Sequence, residues 1–518
     1  MSANAHPSIG PTQPSPRPCP DIFTIICCND SFQLALSLAD IETLLLVCKR
    51  AQPLLDSKVN RLRHWCKENR LHSPDRPLPD LISANDLIAI SLHYGGQETA
   101  DRSWLVALAD QGNPAASYLL ARILQANLAH RQPVTRSKRR ETQQEIAQHL
   151  ETAANAKHPM AQFHLAHSYR NGLGVFQDYT KAVELYRTLA DRGMPQAQIA
   201  LGCCYEGGES VDQDFDTAIE WHSKAADQGS EDGRLHIVFF RGWLSFIGHG
   251  VKQSDADAFN RWQEVSTQST DPVIKPIATH MVGWMHYLGR GTVRDEQKGV
   301  KIIRENRSDE FPLGEEECLA GESTNVRPDS SILASRKFVE LCQLGSEQDW
   351  LCRHLTAVCL VHGVGVPEDQ VTAAGIFEQL ANDGHNDSQV QLRTMYFYGR
   401  GVEPNLTKAF QWCQQAADQN NSFGQWMLGT CYRRDDPIFK DLIKAAQWFH
   451  KSAEQCNRYG QDSLGYCYRS GEGVARNLHT SRFWFNKAED QGIHHAWHRV
   501  KVVHRDSNTR NKRVCRIQ

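Results

Sequence analysis

A glycine returns along this chain at a nearly constant beat, and few folds tolerate one. It stands at Gly172, Gly208, Gly248, Gly289, Gly363, Gly399 and Gly471, with Asp435 in one slot. The last three intervals are 36 residues each, and the first three are 36, 40 and 41. Gly289 to Gly363 spans 74 residues, about two periods, so a degraded repeat with its turn at Asn325–Asp329 is expected between them. Self-similarity at such a period predicts a stack of supersecondary units. A phosphate-binding loop, the other common use of Gly-x-Gly, is needed once and not in every unit.

The residues around each glycine repeat in register. Gly-Val follows two positions on, as in Gly174-Val175, Gly250-Val251, Gly365-Val366, Gly401-Val402 and Gly473-Val474. Three residues past the valine stands Asp178, Asp214, Asp369, Asn405 or Asn477, each suited to cap a helix by accepting from free backbone N–H groups. Upstream lies Leu-Gly-x-x-Tyr (Leu201, Gly202, Tyr205; Leu428, Gly429, Tyr432; Leu464, Gly465, Tyr468), a stripe along one helix. Downstream lie Trp221, Trp448 and Trp484 with alanines close behind, and a closing glycine at Gly193, Gly229, Gly384 or Gly492. Each unit therefore reads as an antiparallel pair of helices of about three turns.

On these residues the chain resembles the Sel-one-like repeat (SLR) family, relatives of tetratricopeptide repeats. The match runs over roughly residues 100–495. The resemblance implies an all-α superhelical solenoid of about ten hairpins that serves as a non-enzymatic scaffold or adaptor for proteins. In bacteria some members meet host cells, and eukaryotic relatives assist ubiquitin ligases. The solenoid is expected over residues 80–498, with loop insertions near 125–141, containing the basic Arg131–Arg140, and 304–329, an acidic stretch rich in turn formers.

Composition excludes several alternatives. Sixty acidic against 57 basic residues, a formal charge of −3, predict no global attraction to nucleic acid or anionic membrane. No apolar run approaches the length of a membrane span, and the first twenty residues lack a secretory pattern, so a cytoplasmic location is expected, or the host cytosol for an exported effector. The 16 cysteines contain no Cys-x-x-Cys and read as reduced apolar filler. His494 and His498 have metal-compatible spacing but no third ligand nearby in sequence. No nucleophile stands beside an activating base at a defined spacing, so no enzyme, cofactor or metal is expected.

The ends differ from the array. Residues 1–20 hold six prolines and read as a disordered tail, and 499–518 as a basic tail. Between them, residues 21–70 resemble an F-box through Leu38, Ile41, Leu45, Leu46 and Val47. That resemblance implies docking to an adaptor of cullin ubiquitin ligases, with the repeats holding the substrate. A helical cap over the first open face of the solenoid explains the same residues.

For partner binding, the helix face opposite the Leu-Gly-Tyr stripe carries Trp243, Phe246, Trp284, Tyr287, Phe397, Arg433, Tyr466 and Arg469. Aromatic and arginine side chains dominate interface energetics, so these are the candidates for a peptide groove. Packing of the same rings between neighbouring hairpins is the alternative.

Overall fold

The computed structural model describes residues 59–66, 86–87, 90, 102–130, 135–321, 332–434 and 440–493. The F-box-like candidates Leu38, Ile41, Leu45, Leu46 and Val47, both tails, the His494/His498 pair, the turn at 325–329 and the corner at Asp435 lie outside them. Among the described residues every regular element is a helix, and none is long and apolar enough to cross a membrane.

The chain divides into two compact units, residues 1–230 and 231–518. In the first, α1 (Ser103–Asp110), α2 (Pro114–His130), α3 (Arg136–Asn155), α4 (Pro159–Asn171), α5 (Tyr179–Asp191), α6 (Pro195–Gly207) and α7 (Phe215–Asp227) pair in sequence. The second begins with α8 (Glu231–Ile247), α9 (Asp255–Gln268), α10 (Ile274–Leu288), α11 (Glu296–Glu305) and the short α12 (Glu315–Cys318). It continues with α13 (Leu333–Gly345), α14 (Trp350–His362), α15 (Gln370–Asn382), α16 (Asn386–Tyr398) and α17 (Leu406–Asp418). Its last hairpins are α18 (Ser422–Arg433) with α19 (Leu442–Glu454), and α20 (Arg458–Ser470) with α21 (Leu478–Asp490).

The repeated residues do the local work expected of them. Gly172 sits at φ 65° past the end of α4, and its N–H returns to the Ser168 carbonyl, a left-handed stop that a side chain would strain. Six residues later Asp178 caps α5, its Oδ1 accepting from Lys181 N at 3.0 Å. Asp214, Ser254, Asp295, Asp369, Asn405, Asp441 and Asn477 repeat that cap, each contributing about 1 kcal/mol. The second glycine of Gly-x-Gly has a different duty. A Cβ on Gly401 would overlap the Gln370 carbonyl, and one on Gly473 the Leu442 carbonyl, so the corner presses on the first turn of the preceding hairpin's second helix.

Within a hairpin the two helices meet through a small residue and a ring. A Cβ on Gly429 would lie 2.7 Å from the Phe449 ring, and one on Gly465 2.7 Å from Phe485. Gly242 meets Trp262 in the same way, and Gly202 meets His222. Glutamines close the open end of a hairpin: Gln198 accepts from Gln228 at 2.8 Å, Gln389 from Gln419 at 3.0 Å, Gln425 from Gln455 at 2.7 Å and Gln461 from Gln491 at 2.9 Å. Gln455 Nε2 also donates to Asn420 Oδ1 of the preceding hairpin at 3.2 Å.

Both insertions differ from the expected loops. Helices α2 and α3 cover most of 125–141, and Arg136–Arg140 form the first turns of α3, capped by Thr135. The described part of 304–329 folds inward: Phe311, Leu313, Glu317 and Cys318 are fully buried. Its carboxylates find arginines, which is why an acidic segment can be interior.

Gly429→Leu should overfill the α18–α19 contact and cost about 1–3 kcal/mol, read from urea denaturation. Phe449→Ala alone should cost about 3–5 kcal/mol. Combined, they should lose clearly less than the sum of the two; strict additivity would mean that the glycine does not govern this helix separation.

Candidate interaction cleft

In the C-terminal unit the array turns back on itself. Helices α11 and α12 come against α18, α20 and the end of α21, residues far apart in sequence. Arg304 Nη1 donates to the Gln491 carbonyl at 3.1 Å, and its Nε to Glu315 Oε2 at 2.5 Å. Arg458, from the first turn of α20, lies with Nε 3.1 Å from Glu315 Oε2 and also pairs with Glu316, which accepts from Tyr459 Oη at 3.2 Å. Burial pushes the Glu315 carboxyl up, and Arg304 and Arg458 pull it back.

Between these elements opens a cavity of about 680 Å³. Phe423, Arg304, Glu315, Arg458 and Gln461 form its polar, partly aromatic floor. Gln297, Lys301, Glu305, Lys487 and Asp490 line it as exposed residues of both charge signs. The turn Gln455-Cys456-Asn457 and Gly492 bring backbone groups to its edge. Cys456 holds φ 62°, a left-handed conformation in the place where other hairpins use glycine. The volume matches a short stretch of extended chain with its side chains, and the mixed lining suits a polar occupant.

A buried polar knot holds α10, α16 and α18 together in the same unit. Tyr287 Oη donates to Asp387 Oδ1 at 2.8 Å, and Asn421 Nδ2 donates to the same oxygen at 2.9 Å. Asn421 Oδ1 in turn accepts from Phe423 N and Gly424 N, capping α18 and fixing the start of the helix that carries Phe423 into the cleft. Burial raises the Asp387 carboxyl to about 6, the hydrogen bonds from Tyr287 and Asn421 opposing that rise.

The sequence-derived groove divides in two. Trp243, Phe246, Trp284 and Tyr287 are core residues, at most 5% exposed, and do not form an open groove. In a stacked array the first helix of each hairpin is covered on one side by its partner and on the other by the next hairpin, so its back face is interior. Trp243 packs edge-on against Trp262, and Trp284 Nε1 donates to His280 Nε2, whose ring burial keeps neutral with a pKa of about 3. Phe397, Arg433, Tyr466 and Arg469 remain half-buried on α16, α18 and α20. Arg433 lies over the Tyr466 ring at 5.5 Å, so two of these join into one patch, outside the cleft lining. Of the cleft residues only Gly492 and the recurring glutamines belong to the repeat pattern; the charged ones do not, and only the charge alternation of α11 could have hinted at them.

One donor set of metal-binding type occurs in the N-terminal unit. Cys203, Glu206 and His222 bring their ligand atoms within 4.8 Å of one another. Glu206 and His222 are buried and share a hydrogen bond of 2.7 Å, which accounts for their placement beneath Gly202.

A family model described as Sel1 repeat matches residues 159–194, 195–230, 276–302, 351–385, 394–421, 422–455 and 458–493. Among solved structures, a protective antigen of uropathogenic Escherichia coli described as displaying an SLR fold is 23% identical, with a TM-score of 0.34, over 86% of this chain and 90% of that one. A Sel1 repeat protein from Oxalobacter formigenes is 22% identical, with a TM-score of 0.26, over 77% of this chain and 89% of that one. No curated protein matches the chain.

The Asp387 knot gives a pH signature. In the fold the carboxyl keeps its proton up to about pH 6, whereas in the unfolded chain it releases it near 3.8. Folding therefore takes up a proton between those values, and stability falls as pH rises through them. Asp387→Asn should remove that loss, raising stability at pH 7.5 by as much as about 3 kcal/mol and leaving it unchanged near pH 4. Chemical denaturation at both values tests this; a destabilised variant at pH 7.5 would contradict it.

Proposed function

From a chain that carries seven Sel1 repeats, we infer a helical-repeat scaffold for protein partners that takes an extended partner segment into the cleft between α11, α12 and the last two hairpins. The observation that carries this reading is the cleft itself: a cavity of about 680 Å³ with exposed charges of both signs at its edge and backbone groups from two turns. Sel1-repeat proteins generally bind proteins and act without catalysis, which favours a docking role for such a surface.

The chemistry of the lining narrows the occupant. Lys301 and Lys487 offer ammonium groups, Glu305 and Asp490 carboxylates, and the glutamines at the hairpin ends offer amides. Such a set recognises a polar segment bearing alternating charges and weakly discriminates an apolar helix. Rim charges of this kind govern association rate and salt dependence more than depth of binding.

Photocrosslinking tests the site whichever protein occupies it. A benzoylphenylalanine at Gln297 or Lys301 should give discrete protein adducts in native cells. The same group at Glu184, exposed on α5 in the N-terminal unit, should not. Adducts from Glu184 with none from Gln297 or Lys301 would remove the cleft from consideration.

A further inference from the structure

The pairing of a small residue with a bulky one, twenty positions on, holds in seven hairpins and breaks in the α16–α17 hairpin. Ala166, Gly202, Gly242, Gly283, Ala357, Gly429 and Gly465 face Tyr186, His222, Trp262, Ile303, Phe377, Phe449 and Phe485. In the α16–α17 hairpin the small slot holds Arg393 and the bulky slot holds Cys413. The exchange conserves volume: a guanidinium fits where glycine is usual because a thiol replaces the ring. A cation now lies where those seven hairpins are apolar or aromatic.

Arg393 is 6% exposed, and among the described residues no carboxylate neutralises it. Its Nε is buried without a hydrogen-bond partner. Its Nη2 points at Cys431 Sγ, 3.9 Å away, and its guanidinium lies 4.6 Å from the Phe397 ring. Arg434 covers the same ring at 4.3 Å. The groups facing Cys431 are thus Cys413 from α17, Arg393 from α16 and Arg434 just past the end of its own helix. Cys413 lies within hydrogen-bonding reach of Cys431, with its Sγ 3.3 Å from the Gly424 carbonyl, so its one S–H can be aimed at either acceptor.

We propose that Cys431 is a peroxide-reactive thiol that forms a disulfide with Cys413, stapling α17 to α18. The Cys431 thiolate attacks hydrogen peroxide: an S–O bond forms, the O–O bond breaks, and the departing hydroxide takes up a proton to become water. The Cys413 sulfur then attacks the sulfenic acid of Cys431, the S–S bond forms, and the hydroxyl leaves as a second water with the Cys413 proton. Two electrons pass from the sulfurs to the peroxide. Hydrogen bonding from Cys413 and the two guanidiniums hold the Cys431 thiol down to about 6, while burial pushes Cys413 well above the usual range. Cys431 is only partly buried whereas Cys413 is fully buried, so the oxidant reaches Cys431 first and Cys413 resolves. The Cys342–Cys352 pair supplies an internal contrast: its thiols also adjoin, but both are sealed in the core.

The test uses the full-length protein treated with substoichiometric hydrogen peroxide, then site-resolved alkylation and a non-reducing peptide map. Cys431 should oxidise ahead of the partly buried Cys203 and Cys456, by about threefold at pH 7 and about tenfold at pH 6, since the guanidinium directed at its sulfur keeps it in the thiolate form as the solution acidifies. The product should be the Cys413–Cys431 peptide pair. Cys413→Ser should stop the reaction at a Cys431 sulfenic acid that dimedone captures. Arg393→Gln should bring the rate toward that of Cys203, and far-UV circular dichroism confirms that this variant is folded. If it is not, Arg434→Gln provides the same comparison from the exposed side. Oxidation of Cys431 no faster than Cys203 and Cys456 at pH 6, or a disulfide from Cys431 to any other cysteine, overturns the proposal.

Discussion

A ring seated on a glycine is the contact from which the rest of this structure follows. Phe449 on Gly429 and Phe485 on Gly465 set how closely two helices of a hairpin approach. Closing that gap buries the ring completely, and each buried ring removes apolar surface worth a few kcal/mol from water. The corner and the cap then have one geometry to satisfy, and Gly172 with Asp178 shows how: a left-handed stop, then a carboxylate on the new helix start. Hairpin-to-hairpin contact is a separate matter, decided by the second glycine of each corner and by bonds such as that from Gln455 to Asn420.

The C-terminal unit adds long-range ion pairing to this local rule. Glu315, Glu317, Arg304 and Arg458 place charges in or beside the interior, where desolvation offsets much of what pairing contributes. Their value lies in specificity. Arg458 meets both Glu315 and Glu316, so the ion pairs position α12 against α20 more narrowly than non-directional apolar contacts do.

How much of this was readable in advance follows from distance along the chain. Corners, caps and the helix pairs are decided within about twenty residues, so the spacing of Gly172, Asp178 and Ala182 was sufficient to place them. The interior position of Trp243 and Trp284 was not readable, because helical periodicity assigns faces but does not say that a second hairpin covers the back one. The acidic stretch after Arg304 looked solvent-facing for the same reason: the arginine that meets Glu315 from α20 stands more than a hundred residues later. The cleft is assembled from such distant pieces and has no local signature. Arg393 and Cys413 are the opposite case, a departure visible in the aligned repeats themselves once their partners are compared position by position.

The bond from Arg304 to the Gln491 carbonyl joins residues 187 positions apart. In an open stack the terminal hairpin touches only its neighbour, and it frays first when the chain is heated or digested. Here the last hairpin is latched to the middle of the array. Releasing it means giving up contacts to α11 and α12 as well as to α18 and α19, so the C-terminal unit is built to melt in one concerted step.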